Sequence, residues 1–85
     1  MKPVNEYFRE YSEIPGLQHA ATVCYKLFAG QESLLFEVGE LRCRVEGISQ
    51  TYAERLLQYL FENGIAPENV FGVLQDCCGS LVRQV

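Results

Sequence analysis

The chain has 85 residues and a mass of 9.7 kDa, which leaves room for one hydrophobic core and predicts a single domain over residues 1–85. With 48% hydrophobic and 21% charged residues, its composition lies outside the range of disordered chains. Seven basic and eleven acidic side chains give a net charge of −4, which makes nucleic acid and anionic membranes unfavourable as main partners.

Targeting and redox features predict a cytoplasmic protein. No run of apolar residues is long enough for a membrane span, and the polar N-terminal stretch lacks the apolar segment of a secretory signal. We therefore expect a reducing environment for the four cysteines, which are Cys24, Cys43, Cys77 and Cys78.

The first predicted element is a short amphipathic helix over residues 3–11. Its apolar residues recur at the helical spacing i, i+3, i+4 and i+7, and Pro3 suits the first helical position. The sequence Ile14-Pro15-Gly16 then ends the helix. The apolar residues are Val4, Tyr7, Phe8 and Tyr11.

From residue 20 the apolar pattern changes to a period of two, which predicts antiparallel strands over residues 20–29, 32–38 and 41–47. Gly30-Gln31 and Gly39-Glu40 suit two-residue type II′ turns. Paired residue numbers would then sum to 61 in the first hairpin and to 79 in the second. This register places apolar side chains on one face and mostly polar ones on the other.

A second helix follows the meander and has clear start and stop signals. Ser49 or Thr51 suits the N-cap, and Thr51 with Glu54 forms a capping box. Gly64 is expected to end the helix in the left-handed conformation, with Ile65 folding back on the last turn. The apolar stripe comprises Ala53, Leu56, Leu57, Leu60 and Phe61.

The segment after Pro67 predicts a C-terminal helix, since Val70, Val73, Leu74, Cys77, Cys78 and Leu81 recur at helical spacing. The alternative is a terminal hairpin with strands over residues 70–75 and 81–85. The predicted fold class is thus α+β: a helix, a three-stranded antiparallel meander, a helix and a C-terminal helix. Residues 1–64 form the core unit and residues 65–85 form the C-terminal helical segment.

This order of elements over residues 3–63 resembles the double-stranded RNA-binding domain fold. Asn5-Glu6-Tyr7 is similar to that family's first helix, Phe36-Glu37-Val38 to its second strand, and Gly47-x-Ser49 with Ala53 to the start of its second helix. In that family, a basic run at the start of the second helix and a long loop between the first two strands bind phosphates. Gln50-Thr51-Tyr52-Ala53-Glu54 and the short Gly30-Gln31 turn stand there instead. The resemblance implies a member that has lost RNA binding and serves in protein contacts.

Three surfaces are candidate binding sites. Tyr52, Arg55 and Tyr59 recur on the second helix away from its apolar stripe, and these residue types are common at binding hot spots. The polar sheet face carries Lys26, Arg42 and Arg44 around Glu37. The wide apolar stripe of the C-terminal helix suggests a homodimer contact through Val70, Val73, Leu74, Cys77 and Leu81.

No residue pattern indicates catalysis, a metal site or a cofactor. His19 has no catalytic partner motif, and the cysteine spacing does not suit tetrahedral ligation. We predict a small acidic, non-enzymatic regulator, inhibitor or adaptor that binds a protein partner with a basic surface and forms a homodimer. The alternatives are a degenerate RNA-binding module that uses the sheet face, and a thiol-based redox role for Cys24 beside Glu37.

Overall fold

A computed structural model describes residues 2–17 and 19–85, with the side chain of Ser80 excepted, as a sheet with two helices on one face. The first four strands are β1 (Asn5–Tyr11), β2 (Ala21–Ala29), β3 (Ser33–Val38) and β4 (Leu41–Glu46). The helices α1 (Gln50–Glu62) and α2 (Pro67–Cys78) follow. A 3₁₀ turn (Gly79–Leu81) then leads into the last strand, β5 (Val82–Gln84). These elements form one small α+β domain.

The five strands form one antiparallel sheet in the order β1-β2-β3-β4-β5. The first four follow one another in sequence as a meander. The last strand returns after both helices and pairs with β4, where Val82 lies opposite Val45. Therefore β1 and β5 are the two edges of the sheet.

The hydrophobic core lies between the helices and one face of this sheet, which we call the inner face. Side chains alternate between buried and accessible along β3 and β4, as expected for a sheet covered on one side. Helix α1 packs on β1, β2 and β3, whereas α2 packs on β4 and β5. The largest fully buried side chains include Tyr25, Phe36, Leu27, Leu57, Leu60 and Leu74.

The predicted N-terminal helix is wrong, because residues 5–11 form the edge strand β1. Alternate residues of this strand are half-buried, and Tyr7 stacks on Phe61 of α1 with 4.8 Å between ring centroids. The backbone of β1 pairs with β2 along its whole length. Spacings of three and four residues between aromatic side chains fitted a helix, but pairing with β2 and the β propensity of tyrosine and phenylalanine favour the strand.

The predicted C-terminal helix as the last element is also wrong, and so is the alternative hairpin. Residues 67–78 are helical, but Gly79, with a φ of 65°, ends the helix and a strand follows. This strand lies beside β4 and buries Val82. The predicted fold class, which begins with a helix and ends with one, is therefore replaced by the order β-β-β-β-α-α-β.

The predicted register holds in one hairpin of the meander and fails in the other. Val38 lies opposite Leu41, and Gly39 has a φ of 59°, as a two-residue turn between β3 and β4 requires. In contrast, Ala29 lies opposite Leu34, so the paired numbers of β2 and β3 sum to 63 and four residues connect the paired positions. The shift keeps every side chain on its predicted face.

The structure selects one of the two N-caps predicted for α1 and confirms the predicted end of this helix. Ser49 is the N-cap and its hydroxyl accepts a hydrogen bond from the Tyr52 N–H at 3.1 Å, so the predicted capping box starting at Thr51 is wrong. Gly64 has a φ of 57°, and the Ile65 N–H donates to the Leu60 carbonyl at 3.0 Å. This is the predicted Schellman end of the helix. Among the described residues, neither helix is long and apolar enough to cross a bilayer.

Candidate functional site: a groove between the helices

An open groove runs between the outward sides of the two helices, and we call it the interhelical groove. Its volume is about 380 Å³. Both helices contribute to its lining, which is mostly apolar: Tyr52, Arg55, Leu56 and Tyr59 come from α1, and Val73, Asp76 and Cys77 come from α2. The surface predicted on the second helix and part of the predicted dimer surface therefore belong to a single site.

The amphipathic pattern of α1 positions its side of the groove. Ala53, Leu57 and Leu60 are fully buried against the sheet, which leaves the opposite side of the helix in solvent. Tyr52 and Tyr59 remain 42% and 50% exposed there, although both carry large rings. Two accessible tyrosines flanking one cavity are typical of an interaction surface.

The five residues predicted for dimerisation do not lie on one surface. Val70 and Leu74 are buried in the core of their own chain, with 1% and 0% exposure, and are not part of its surface. Val73 and Cys77 line the groove one helical turn apart, and Leu81 is exposed in the 3₁₀ turn. The apolar stripe of this helix is wide because it serves the core and the groove at once.

The two helices, which we call the helical layer, carry most of the negative net charge of the protein. Arg55 and Asp76 both line the groove, and no ion pair closer than 4.0 Å joins them. Arg55 is the only basic residue in α1 or α2. The acidic side chains of the two helices are Glu54, Glu62, Glu68 and Asp76, which makes this layer strongly acidic.

The other three residues predicted for partner binding lie on the outer face of the sheet, away from the helices. Lys26 is opposite Glu37, which is opposite Arg42, and the Arg42 Nε lies 3.7 Å from a Glu37 carboxylate oxygen. Arg44 lies on the same face, opposite Arg83 of β5. The six predicted residues therefore form two separate surfaces on opposite sides of the molecule.

A polar cluster attaches the C-terminal end of α1 to the sheet, and sequence reasoning missed it. Arg9 of β1 donates to the Phe61 carbonyl, and its guanidinium carbon lies 4.9 Å from the centre of the Phe61 ring. The Tyr25 hydroxyl donates to the Ile65 carbonyl at 3.0 Å. A cation near a helix C-terminus is favourable, so these contacts hold α1 and the α1–α2 connection on the sheet.

Burial raises the pKa of Tyr25 within this cluster, and Tyr11 adds to the effect while Arg9 opposes it. The tyrosine therefore stays a neutral hydrogen-bond donor at physiological pH. The signal in the sequence was the alternation of Asn5, Tyr7, Arg9 and Tyr11, which marks one face of a strand. Because Asn5 and Arg9 are polar, this alternation did not stand out as the apolar pattern of a strand.

The cysteines occupy four different environments, and all four thiols are free. Burial raises the pKa of Cys43, and burial together with the neighbouring Cys77 raises the pKa of Cys78. Cys77 is exposed at the groove. The predicted position of Cys24 opposite Glu37 is wrong, since the register of β2 and β3 places Lys26 opposite Glu37. Cys24 is half-buried and lies opposite Phe8 on the β1 side.

Comparison with known proteins finds no matching family model, no matching curated protein and no matching solved structure. The helix-first order that suggested a double-stranded RNA-binding domain is absent from the fold.

Proposed function

We propose that the chain is a small, non-enzymatic protein-interaction module whose interhelical groove binds a basic amphipathic segment of a partner protein. By covering that segment, the module acts as a regulator, inhibitor or adaptor. The observation that carries the proposal is the pairing of Tyr52 and Tyr59, both accessible, around an apolar cavity that two helices form together.

The apolar part of the groove supports an anchor of the helix-in-groove type. A volume of about 380 Å³ falls in the range of ligand sites and accommodates large side chains of a partner. Leu56 and Val73 provide apolar contact area, and the tyrosine rings add large surfaces with few rotatable bonds.

The charge of the helical layer supports a basic occupant. Four carboxylates and one guanidinium lie on the two helices, so lysine or arginine residues beside the apolar anchors of a partner would meet a complementary potential. Arg55 and Asp76, on opposite sides of the groove and without a mutual ion pair, are free to orient the occupant.

The test uses two synthetic amphipathic helices with the same leucine pattern, one carrying lysine and the other carrying glutamate on the polar face. Fluorescence anisotropy should show binding of the lysine peptide and at least tenfold weaker binding of the glutamate peptide. Tyr59→Ala and Tyr52→Ala should each weaken binding of the lysine peptide by about 30-fold, as expected for a hot-spot loss of about 2 kcal/mol.

The matched control is Gln75→Ala, an exposed position of α2 outside the groove lining, which should leave the affinity unchanged. Equal binding of both peptides, or equal losses for Gln75→Ala and Tyr59→Ala, would refute the proposal. Light scattering of the free protein checks whether a second copy occupies the groove instead, since this would give a mass of two chains that Tyr59→Ala reduces to one.

A further inference from the structure

Two like charges face each other on the outer face of the sheet, where β4 pairs with β5. Arg44 and Arg83 are directly opposite residues in the antiparallel register, and both are exposed. In the part of the chain that the structure describes, neither guanidinium has a carboxylate within 4.0 Å. Like charges at opposite cross-strand positions destabilise a sheet, so this pair is costly in the free protein.

The neighbouring row of the same face shows the opposite arrangement. Glu6, Lys26, Glu37 and Arg42 lie opposite one another across β1 to β4, so their charges alternate in sign. This row neutralises itself, whereas the row with Arg44 and Arg83 leaves two positive charges together. In the arginine row, by contrast, no carboxylate lies opposite Arg44.

The same row is apolar on the side away from β5. Phe28 lies opposite Leu35, which lies opposite Arg44. These three residues, with Gly30 and Ser33, line a cleft of about 190 Å³. An apolar cleft therefore opens directly beside the arginine pair.

We propose that this cleft and the arginine pair bind a small anion with a phenyl-sized apolar body. Phe28 and Leu35 contact the body, and Arg44 and Arg83 bind the phosphate or carboxylate together. A cavity of about 150 Å³ holds a benzene ring, so the size of the cleft suits such a group. Guanidinium groups match the geometry of both anions and bind them through two parallel hydrogen bonds.

A single anionic group fits this face better than a polyanion does. Glu6, Glu37 and Glu46 lie on the same outer face, and the protein as a whole has a charge of −4. A nucleic acid backbone that reached the arginine pair would also meet these carboxylates. This site is independent of the interhelical groove, which lies on the other side of the sheet.

The experiment is a titration of the isotope-labelled protein with phenyl phosphate, followed by amide chemical shifts. We expect shifts concentrated around Phe28, Leu35, Arg44 and Arg83. Inorganic phosphate has only the anionic group and phenol has only the aromatic ring. Each should therefore bind at least tenfold more weakly than phenyl phosphate. Benzoate in a parallel titration distinguishes a carboxylate site from a phosphate site, since the preferred anion gives the lower Kd.

Variants separate the site from general electrostatics. Arg83→Gln and Arg44→Gln should each weaken binding of phenyl phosphate about tenfold, the loss expected for a charge-assisted contact. Arg42→Gln removes the same charge from a residue already paired with Glu37 and should change the Kd less than twofold. All three positions are exposed, so the amide spectrum should show the native fold in each variant.

A second measurement uses the repulsion itself. Arg83→Gln should raise Tm at low salt, and the gain should disappear at high salt because ions screen the two charges. At the same concentration, phenyl phosphate should raise the Tm of the wild-type protein more than that of the variant. The proposal is overturned if Arg83→Gln and Arg42→Gln bind alike, if phosphate alone binds as tightly as phenyl phosphate, or if a short RNA duplex competes with higher affinity.

Discussion

Replacement of Leu74 tests whether α2 faces its own sheet or a second chain. The side chain is fully buried in the core of its own chain. Leu74→Ala removes three buried carbon atoms and leaves a cavity, which costs about 3 kcal/mol in a well-packed core. A domain of 85 residues has a free energy of unfolding of about 4 to 13 kcal/mol, so the variant loses a large share of its stability. The expected fall in Tm is about 12 to 24 °C.

The assay is urea unfolding monitored by circular dichroism at two protein concentrations a hundredfold apart. Leu81→Ala is the matched control, because Leu81 belongs to the same predicted dimer surface but is 46% exposed, and it should cost less than about 1 kcal/mol. Equal losses for the two variants would contradict the placement of Leu74. So would a midpoint that rises with protein concentration in the wild type and not in Leu74→Ala, since this pattern indicates a dimer contact.

Two further predictions concern backbone conformation and pH. Gly64→Ala should lower the free energy of unfolding by about 1 to 2 kcal/mol, because φ is positive at this position. Gly72→Ala should raise it by about 0.5 to 1 kcal/mol, because Gly72 lies in the interior of α2 with open space around it. Urea unfolding that gives changes of the same sign for both variants would refute this prediction. Burial raises the pKa of Cys43 above its ordinary value of 9.0, so the unfolded chain loses the thiol proton first. The free energy of unfolding should therefore fall as the pH rises above about 9, and less steeply in Cys43→Ala. An equal slope in the variant, measured by urea unfolding across this range, would show that Cys43 does not contribute.

The central part of the fold was predictable because its signals agree with one another. Alternation along the meander set the faces of β2, β3 and β4, and Gly64 marked the end of α1. The register between β2 and β3 was not predictable, since Gly30-Gln31-Glu32-Ser33 contains turn-forming residues at several positions and the Gly30 N–H bonds to the Ser33 carbonyl.

The two ends of the chain were mispredicted for a shared physical reason. In β1 the inner-face Arg9 donates a hydrogen bond to the Phe61 carbonyl at the end of α1, a contact that depends on tertiary structure. In β5 only Val82 enters the core, so three residues carry too little pattern to indicate a strand. Local periodicity does not contain the long-range pairing that decides both segments.

The candidate groove was predictable in part. The spacing of Tyr52, Arg55 and Tyr59 marked the outward side of α1, and the structure adds Val73 and Asp76 of α2 as the facing wall. Which residues of α2 turn inward depends on how the helix packs on β4 and β5. The wide apolar stripe alone could not separate Val70 and Leu74 from the residues that line the groove.

The late return of β5 has a consequence for the behaviour of the chain in solution. Residues 47–81 must close as a loop before β5 can pair with β4, and only three residues pair once it has closed. Local opening should therefore detach β5 before it disturbs the central strands. Detachment would leave β4 as a bare edge with alternating apolar side chains, a template for pairing with another chain. By covering the edge of β4, the short strand thus protects the chain against aggregation. Conditions that detach β5 more often should make the protein precipitate sooner.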